Sequence, residues 1–247
     1  MVAKTENDMK INRMLMIISA VIFNTTIAWS ATFKSDSLDT KQQSIVSISA
    51  FTAKGDLAGL KVSLNEGLTA GLTINEVKEE LIHLSAYCGF PRSLNGITTF
   101  NTVLNERKSK GISDPEGQKP IKVADTGKYQ TGKKVLESLT GKPETGPKTG
   151  YAAFVPAIDT LLKEHLFNDI FTRGVLDNKQ RELTTVSALT ALGGVESQLA
   201  GHLGICLNLG FTKEELGQVL AVIEVKIGKK EADAGRQVLA KILASRN

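Results

Sequence analysis

Gly71-Leu72-Thr73-Ile74-Asn75-Glu76 and Gly210-Phe211-Thr212-Lys213-Glu214-Glu215 are two copies of one helix start. Each pairs a glycine suited to ending one helix with a threonine and, three residues on, a glutamate. That spacing is a capping box, in which the threonine hydroxyl accepts from a helix N–H and the glutamate reaches back. Upstream of the first copy, Leu57, Leu60, Leu64 and Leu68 keep the spacing of one helix face; Leu199, Leu203 and Leu207 do the same before the second. Further back, Leu38, Asp39, Lys41 and Gln42 recur as Leu176, Asp177, Lys179 and Gln180. Ser49-Ala50, Thr52-Ala53 and Gly55 recur as Ser187-Ala188, Thr190-Ala191 and Gly193, after which Gly194 is an insertion in the second copy. An internal repeat of this kind means two related helical units. No convincing alternating strand pattern appears, so the expected fold class is all-α, with tandem units related by a pseudo-two-fold.

Downstream of the first box, Val77, Leu81, Ile82 and Leu84 continue an apolar helix, and Gly89-Phe90-Pro91 is expected to end it and start another at Arg92. The first unit spans 31–106 and the second 151–247. Residues 107–150 between them are rich in Lys, Gly, Pro and Thr and read as a surface linker, helical only from Tyr129 to Leu139. Pro156 to Thr172 reads as an amphipathic α-helix leading into the second unit.

The first 30 residues read as a secretory signal. Lys4, Lys10 and Arg13 form a basic start, Met14 to Phe23 is a short apolar run, and Ala28-Trp29-Ser30 is a small-x-small cleavage site. A run of ~10 apolar residues falls short of the roughly 20 needed to span a bilayer. The mature chain is therefore expected to be exported, in the periplasm, with no membrane attachment after cleavage.

With 247 residues, 41% apolar and 23% charged, the composition is ordinary for a globular protein. A net charge of +4 with lysines not gathered on one element gives no reason to expect nucleic acid. Two cysteines make no disulfide scaffold, and three histidines leave little for a metal site.

These motifs jointly resemble the carboxymuconolactone decarboxylase family in its two-unit form. The second unit carries the resemblance in Leu176-Asp177-x-Lys179-x-Arg181-Glu182-Leu183, Ala188-Leu189-x-Ala191-Leu192-Gly193, Gln198-Leu199-x-x-His202-Leu203 and Leu207-Asn208-x-Gly210. The first carries it in Glu80-Leu81-Ile82-His83 through Tyr87-Cys88-Gly89-Phe90-Pro91. The resemblance implies an alkylhydroperoxidase D-like fold, homo-oligomers, and decarboxylation of a small anionic lactone without metal or organic cofactor. Alkylhydroperoxidase D is a thiol enzyme with a Cys-x-x-Cys-x-x-x-His pattern. Here the two cysteine positions hold Val195 and Gln198 while His202 remains, so a two-thiol relay is not expected.

Counting residues from the Gly193-Gly194 turn, Glu182 and His202 fall within roughly 5 Å of each other along an antiparallel helix pair. A carboxylate there orients the imidazole and raises its basicity. The first unit has Ser44 and Ser63 at those positions but holds Tyr87 where the second unit has Lys226. Each unit thus holds what the other lacks, which suggests one composite pocket. His202, Glu182 and Tyr87 are the candidate catalytic residues; Arg181, Arg92 and His83 are candidates for holding the substrate. Each has a plainer alternative: Glu182 as a helix-dipole carboxylate, His202 and His83 as core histidines, and Tyr87 as a packing residue. Cys88 and Cys206 read either as buried small hydrophobes or as the lone thiol of an exported peroxidase-like protein. The expected function is a cofactor-independent acid–base lyase on a small carboxylated lactone or related anion. The alternatives are that single-cysteine antioxidant, or a non-catalytic oligomer that binds a ligand.

Overall fold

The structure, a computed structural model, describes residues 37–246. The proposed signal, with Trp29, lies outside the described residues. All regular structure among the described residues is helical. The first unit contributes α1 (Thr40–Lys54), α2 (Leu57–Thr69) and α3 (Ile74–Ser109). The connecting stretch holds α4 (Lys128–Thr140), α5 (Gly150–Phe154) and α6 (Pro156–Leu161). A π-helix (Leu162–Ile170) and a 3-10 turn (Phe171–Arg173) follow. The second unit contributes α7 (Asn178–Leu192), α8 (Glu196–Asn208), α9 (Lys213–Lys226) and α10 (Lys229–Ala244).

The repeat is written in its helix caps. Asp39 caps α1 and Asp177 caps α7, each accepting at 2.8 Å from the N–H of a glutamine that reaches back to it. Thr73–Glu76 and Thr212–Glu215 form the expected boxes at α3 and α9. Each box satisfies N–H groups that a helix start otherwise leaves unpaired. Gly89, at φ 82° and ψ 155°, sits beside Pro91 at the kink in α3, and Gly228 occupies the corresponding break between α9 and α10.

Helices α1 and α7 pack on each other at the centre. The exchange is reciprocal: α3 lies against α7, and α9 lies against α1. Both central helices are buried on every side from Ser44 to Ala53 and from Arg181 to Ala191. Such helices usually need apolar residues all round. Here small hydroxyls substitute, because each bonds back to its own helix. Ser47, Thr52, Ser187 and Thr190 all donate to the carbonyl four residues earlier. Ser49 instead donates across to Glu80 of α3 at 2.7 Å, and burial pushes the Glu80 carboxyl well above its usual range.

The connecting stretch does more than link. Leu139 of α4 joins Leu166, Phe167, Ile170 and Phe171 in a second apolar cluster seated on Ile205 of α8. Helix α4 approaches the π-helix so closely that a Cβ at Gly132 would stand 1.8 Å from the Lys163 carbonyl oxygen. The segment from Pro156 to Thr172 is therefore not the single α-helix expected: it begins as α6, widens to π and tightens to 3-10. An apolar stripe reports which face is buried but not the winding, which packing against α4 and α8 settles.

Candidate active site

Three side chains one turn apart on α3, Glu79, His83 and Tyr87, face Arg181, Glu182 and Thr185 near the start of α7. His202 enters from α8, and Phe171 and Arg173 come from the cover between the units.

The expected carboxylate–imidazole contact is present. His202 Nδ1 lies 2.7 Å from Glu182 Oε2. With a carboxylate accepting, Nδ1 carries the hydrogen and Nε2 is the nitrogen left for chemistry. Glu182 is fully buried while the His202 side chain keeps 15% of its surface exposed. The second glutamate oxygen, Oε1, makes no hydrogen bond among the described residues.

His83 is a different histidine. It is fully buried, and that burial, then the charges of Arg181 and His202, hold its pKa well below the ordinary value. The ring is therefore neutral at pH 7. The Thr185 hydroxyl donates to the Arg181 carbonyl at 2.9 Å, so it accepts from His83 Nε2–H at 2.8 Å. His83 Nδ1 is left as a lone pair with no partner among the described residues.

The Tyr87 ring lies edge-on to His202, centroids 5.4 Å apart, and 5.0 Å from His83. Its hydroxyl is buried beside Thr185 and makes no well-formed hydrogen bond among the described residues. Burial, then the Glu182 charge, pushes its pKa well up, so it stays a phenol able to donate.

Arg181 is fully buried under Phe171, whose ring centre lies 5.8 Å from the guanidinium carbon. Burial pulls its pKa down to about 10, which leaves it cationic at neutral pH. Its nearest carboxylate contact is Glu79 Oε2 at 3.6 Å, beyond hydrogen-bond reach. None of its three guanidinium nitrogens makes a hydrogen bond among the described residues. Buried polar groups are nearly always paired. Arg181, Tyr87 Oη, His83 Nδ1 and Glu182 Oε1 thus gather in one cluster without a hydrogen bond among the described residues, Arg181 keeping only its ion pair with Glu79.

Other expected residues fall elsewhere. Arg92 is exposed, bonded to the Cys88 carbonyl and beside the Gly55 turn, with no contact to this cluster. Cys88 is buried with its thiol on the Leu84 carbonyl, and burial pushes its pKa up to about 11. Burial, then Glu182, also pushes the Cys206 thiol well up. Both shifts oppose the thiolate that a reactive cysteine needs.

Glu79, Arg173, Thr185 and Phe171 were not singled out from sequence. Glu79 had a signal, because it stands one turn before His83 and two before Tyr87. Arg173 and Phe171 had none, since nothing local places the connecting segment over α7.

The fold and this cluster define, among the described residues, a protein of two fused helical units with a buried carboxylate–imidazole pair in the second unit, packed against a helix of the first. The carboxymuconolactone decarboxylase family matches residues 22–99 and 156–241, and the chain belongs to that family. The first matched region begins at residue 22, inside the stretch read as a signal. Nitrosuccinic acid decarboxylase npaB of Metarhizium robertsii is 24% identical over 84 residues, covering 34% of this chain and 59% of that protein. Both findings support a decarboxylase-like family.

Proposed function

We propose that this protein is a cofactor-independent acid–base decarboxylase acting on a small carboxylated anion, a lactone or a related acid with an adjacent electron sink. The observation that carries the reading is the Glu182–His202 dyad at 2.7 Å with the buried Tyr87 hydroxyl beside it. Loss of CO2 leaves an electron pair on carbon, and a conjugated carbonyl or nitro group in the substrate receives it. Tyr87 donates to the oxyanion that develops there. His202, as an imidazolium held by Glu182, then delivers a proton to carbon and recovers one from water, so each turnover consumes one proton. Arg181 seats an anionic group of the substrate, and the neutral His83 accepts from a substrate O–H or N–H. Substrates to try first are carboxylated lactones and nitrosuccinic acid, the latter after the relative's name.

The test is CO2 release by the purified protein. Turnover that survives intact in His202→Gln removes this reading. Export, with cleavage after Ser30, belongs to the proposal and is checked by the N-terminal sequence of the mature protein. Assembly into homo-oligomers is checked by its mass in solution.

A further inference from the structure

Glu79 stands between two arginines, held by hydrogen bonds from Arg173 and by a looser ion pair with Arg181. Arg173 Nε lies 2.9 and 2.8 Å from its two carboxylate oxygens, whereas Arg181 stays at 3.6 Å with no hydrogen bond among the described residues. Arg173 and Phe171 belong to the same 3-10 turn of the cover. Phe171 closes over Arg181 while Arg173 holds the carboxylate at 3.6 Å from it, short of a hydrogen bond. Arg173 keeps 27% of its side chain exposed, and Glu79 keeps 3%. A buried guanidinium with a carboxylate so near normally takes it in a bidentate pair. The positions corresponding to Glu79 and Arg181 in the other half are Gln218 and Gln43, so this arrangement of charges occurs once.

We infer that Arg173 is a positioning residue that keeps Glu79 from closing its loose ion pair with Arg181, leaving the Arg181 N–H groups to hydrogen-bond a carboxylate of the substrate. The inference rests on the proposed anionic substrate. It also makes anion binding depend on the cover.

The signs of substitution effects distinguish this from a plain structural anchor. Succinate, a small unreactive dicarboxylate, serves as the probe, with its Kd measured by calorimetry at pH 7 and low salt. Arg173→Gln is expected to weaken succinate binding about tenfold or more, because a charged competitor now occupies Arg181. Adding Glu79→Gln to that variant removes the competitor and should restore Kd to near the unaltered value. A structural anchor predicts the opposite, with the double variant binding as poorly as the single or worse. The double variant carries a neutral pair of similar shape, so it guards against loss of fold, which a thermal melt checks. A crystal structure of Arg173→Gln should place the Glu79 carboxylate within hydrogen-bond distance of Arg181. Glu79 unmoved, or no rescue in the double variant, overturns the inference. Absence of succinate binding to the unaltered protein overturns Arg181 as an anion seat. Failure of the decarboxylase reading is separate: it appears as no CO2 release while these binding differences persist.

Discussion

The two halves share their caps and their helix order, yet they present opposite faces at equivalent places. In the second half, Arg181 lies under Phe171 of the cover, and beside it Glu182 holds His202. In the first, the corresponding residues are Gln43, Ser44, Ser47 and Ser63, and the partners supplied by α9 are Val222 and Lys226 in place of His83 and Tyr87. That side is an open groove of about 530 Å3, lined by Gln43, Ser44, Ser47, Val222 and Lys226 among others. Here Lys226 pairs with Glu66 at 2.9 Å. The difference teaches that the pseudo-two-fold serves the scaffold alone. One half keeps buried charges, which are costly unless paired; the other has neutral side chains there, of which Gln43, Ser44 and Ser47 bond to nearby carbonyls and Ser63 does not.

The sharpest way to break this comparison is to remove the dyad. His202→Gln is expected to lower the rate of CO2 release by about a hundredfold or more, the scale of a lost general acid. Tyr87→Phe should lower kcat by about ten- to a hundredfold and leave substrate affinity nearly unchanged, because the hydroxyl acts on charge that develops in the transition state. Steady-state kinetics on the same substrate reads both.

The cover can be attacked without touching the dyad. Gly132→Ala places a methyl against the Lys163 carbonyl and must push α4 off the π-helix. A loss of about 2–3 kcal/mol in denaturant unfolding is expected, with increased hydrogen exchange in α4 and 162–173.

Acid should open the same region. Asp159 binds Lys148, Lys163 and Tyr129 within the cover. Burial alone would raise its pKa, but bonds from Lys148, Lys163 and Tyr129 outweigh it and hold the value down at about 2. A carboxylate depressed in the folded state stabilises above its unfolded pKa, and that contribution fades as pH falls through the folded value. Between pH 4 and pH 2, exchange in the cover should rise before exchange in α1 and α7.

The smallest effect is expected at the counterpart of His202. Ser63 is fully buried with an unbonded hydroxyl among the described residues. Ser63→Ala should change turnover by less than about twofold and stability by little, since it removes an unsatisfied group. A large loss of turnover there would mean that the first half takes part in the chemistry.

Much of this was legible in the chain. The duplicated caps, the leucine spacing and the helical class follow from local rules, because a cap bonds residues three apart and a helix face repeats every three to four. The Glu182–His202 contact was legible for the same reason: a short turn between two helices makes side-chain height a matter of counting. The central placement of α1 and α7 was harder to see, because their Ser and Thr residues look like surface residues until each hydroxyl is found bonded to its own helix.

What only the tertiary structure settled is which long-range partners meet. Arg92 carried the right charge on a motif helix, yet α3 aims it at the Gly55 turn. Cys88 and Cys206 had no burial signal beyond composition, and packing raised both thiols. Arg173 follows directly on the Pro156 to Thr172 segment, and folding carries it 94 residues back to Glu79. Local hydrogen bonds fix caps and periodicity within a few residues, so sequence specifies them directly. A contact between distant charges depends on how whole helices pack, and no short spacing encodes that.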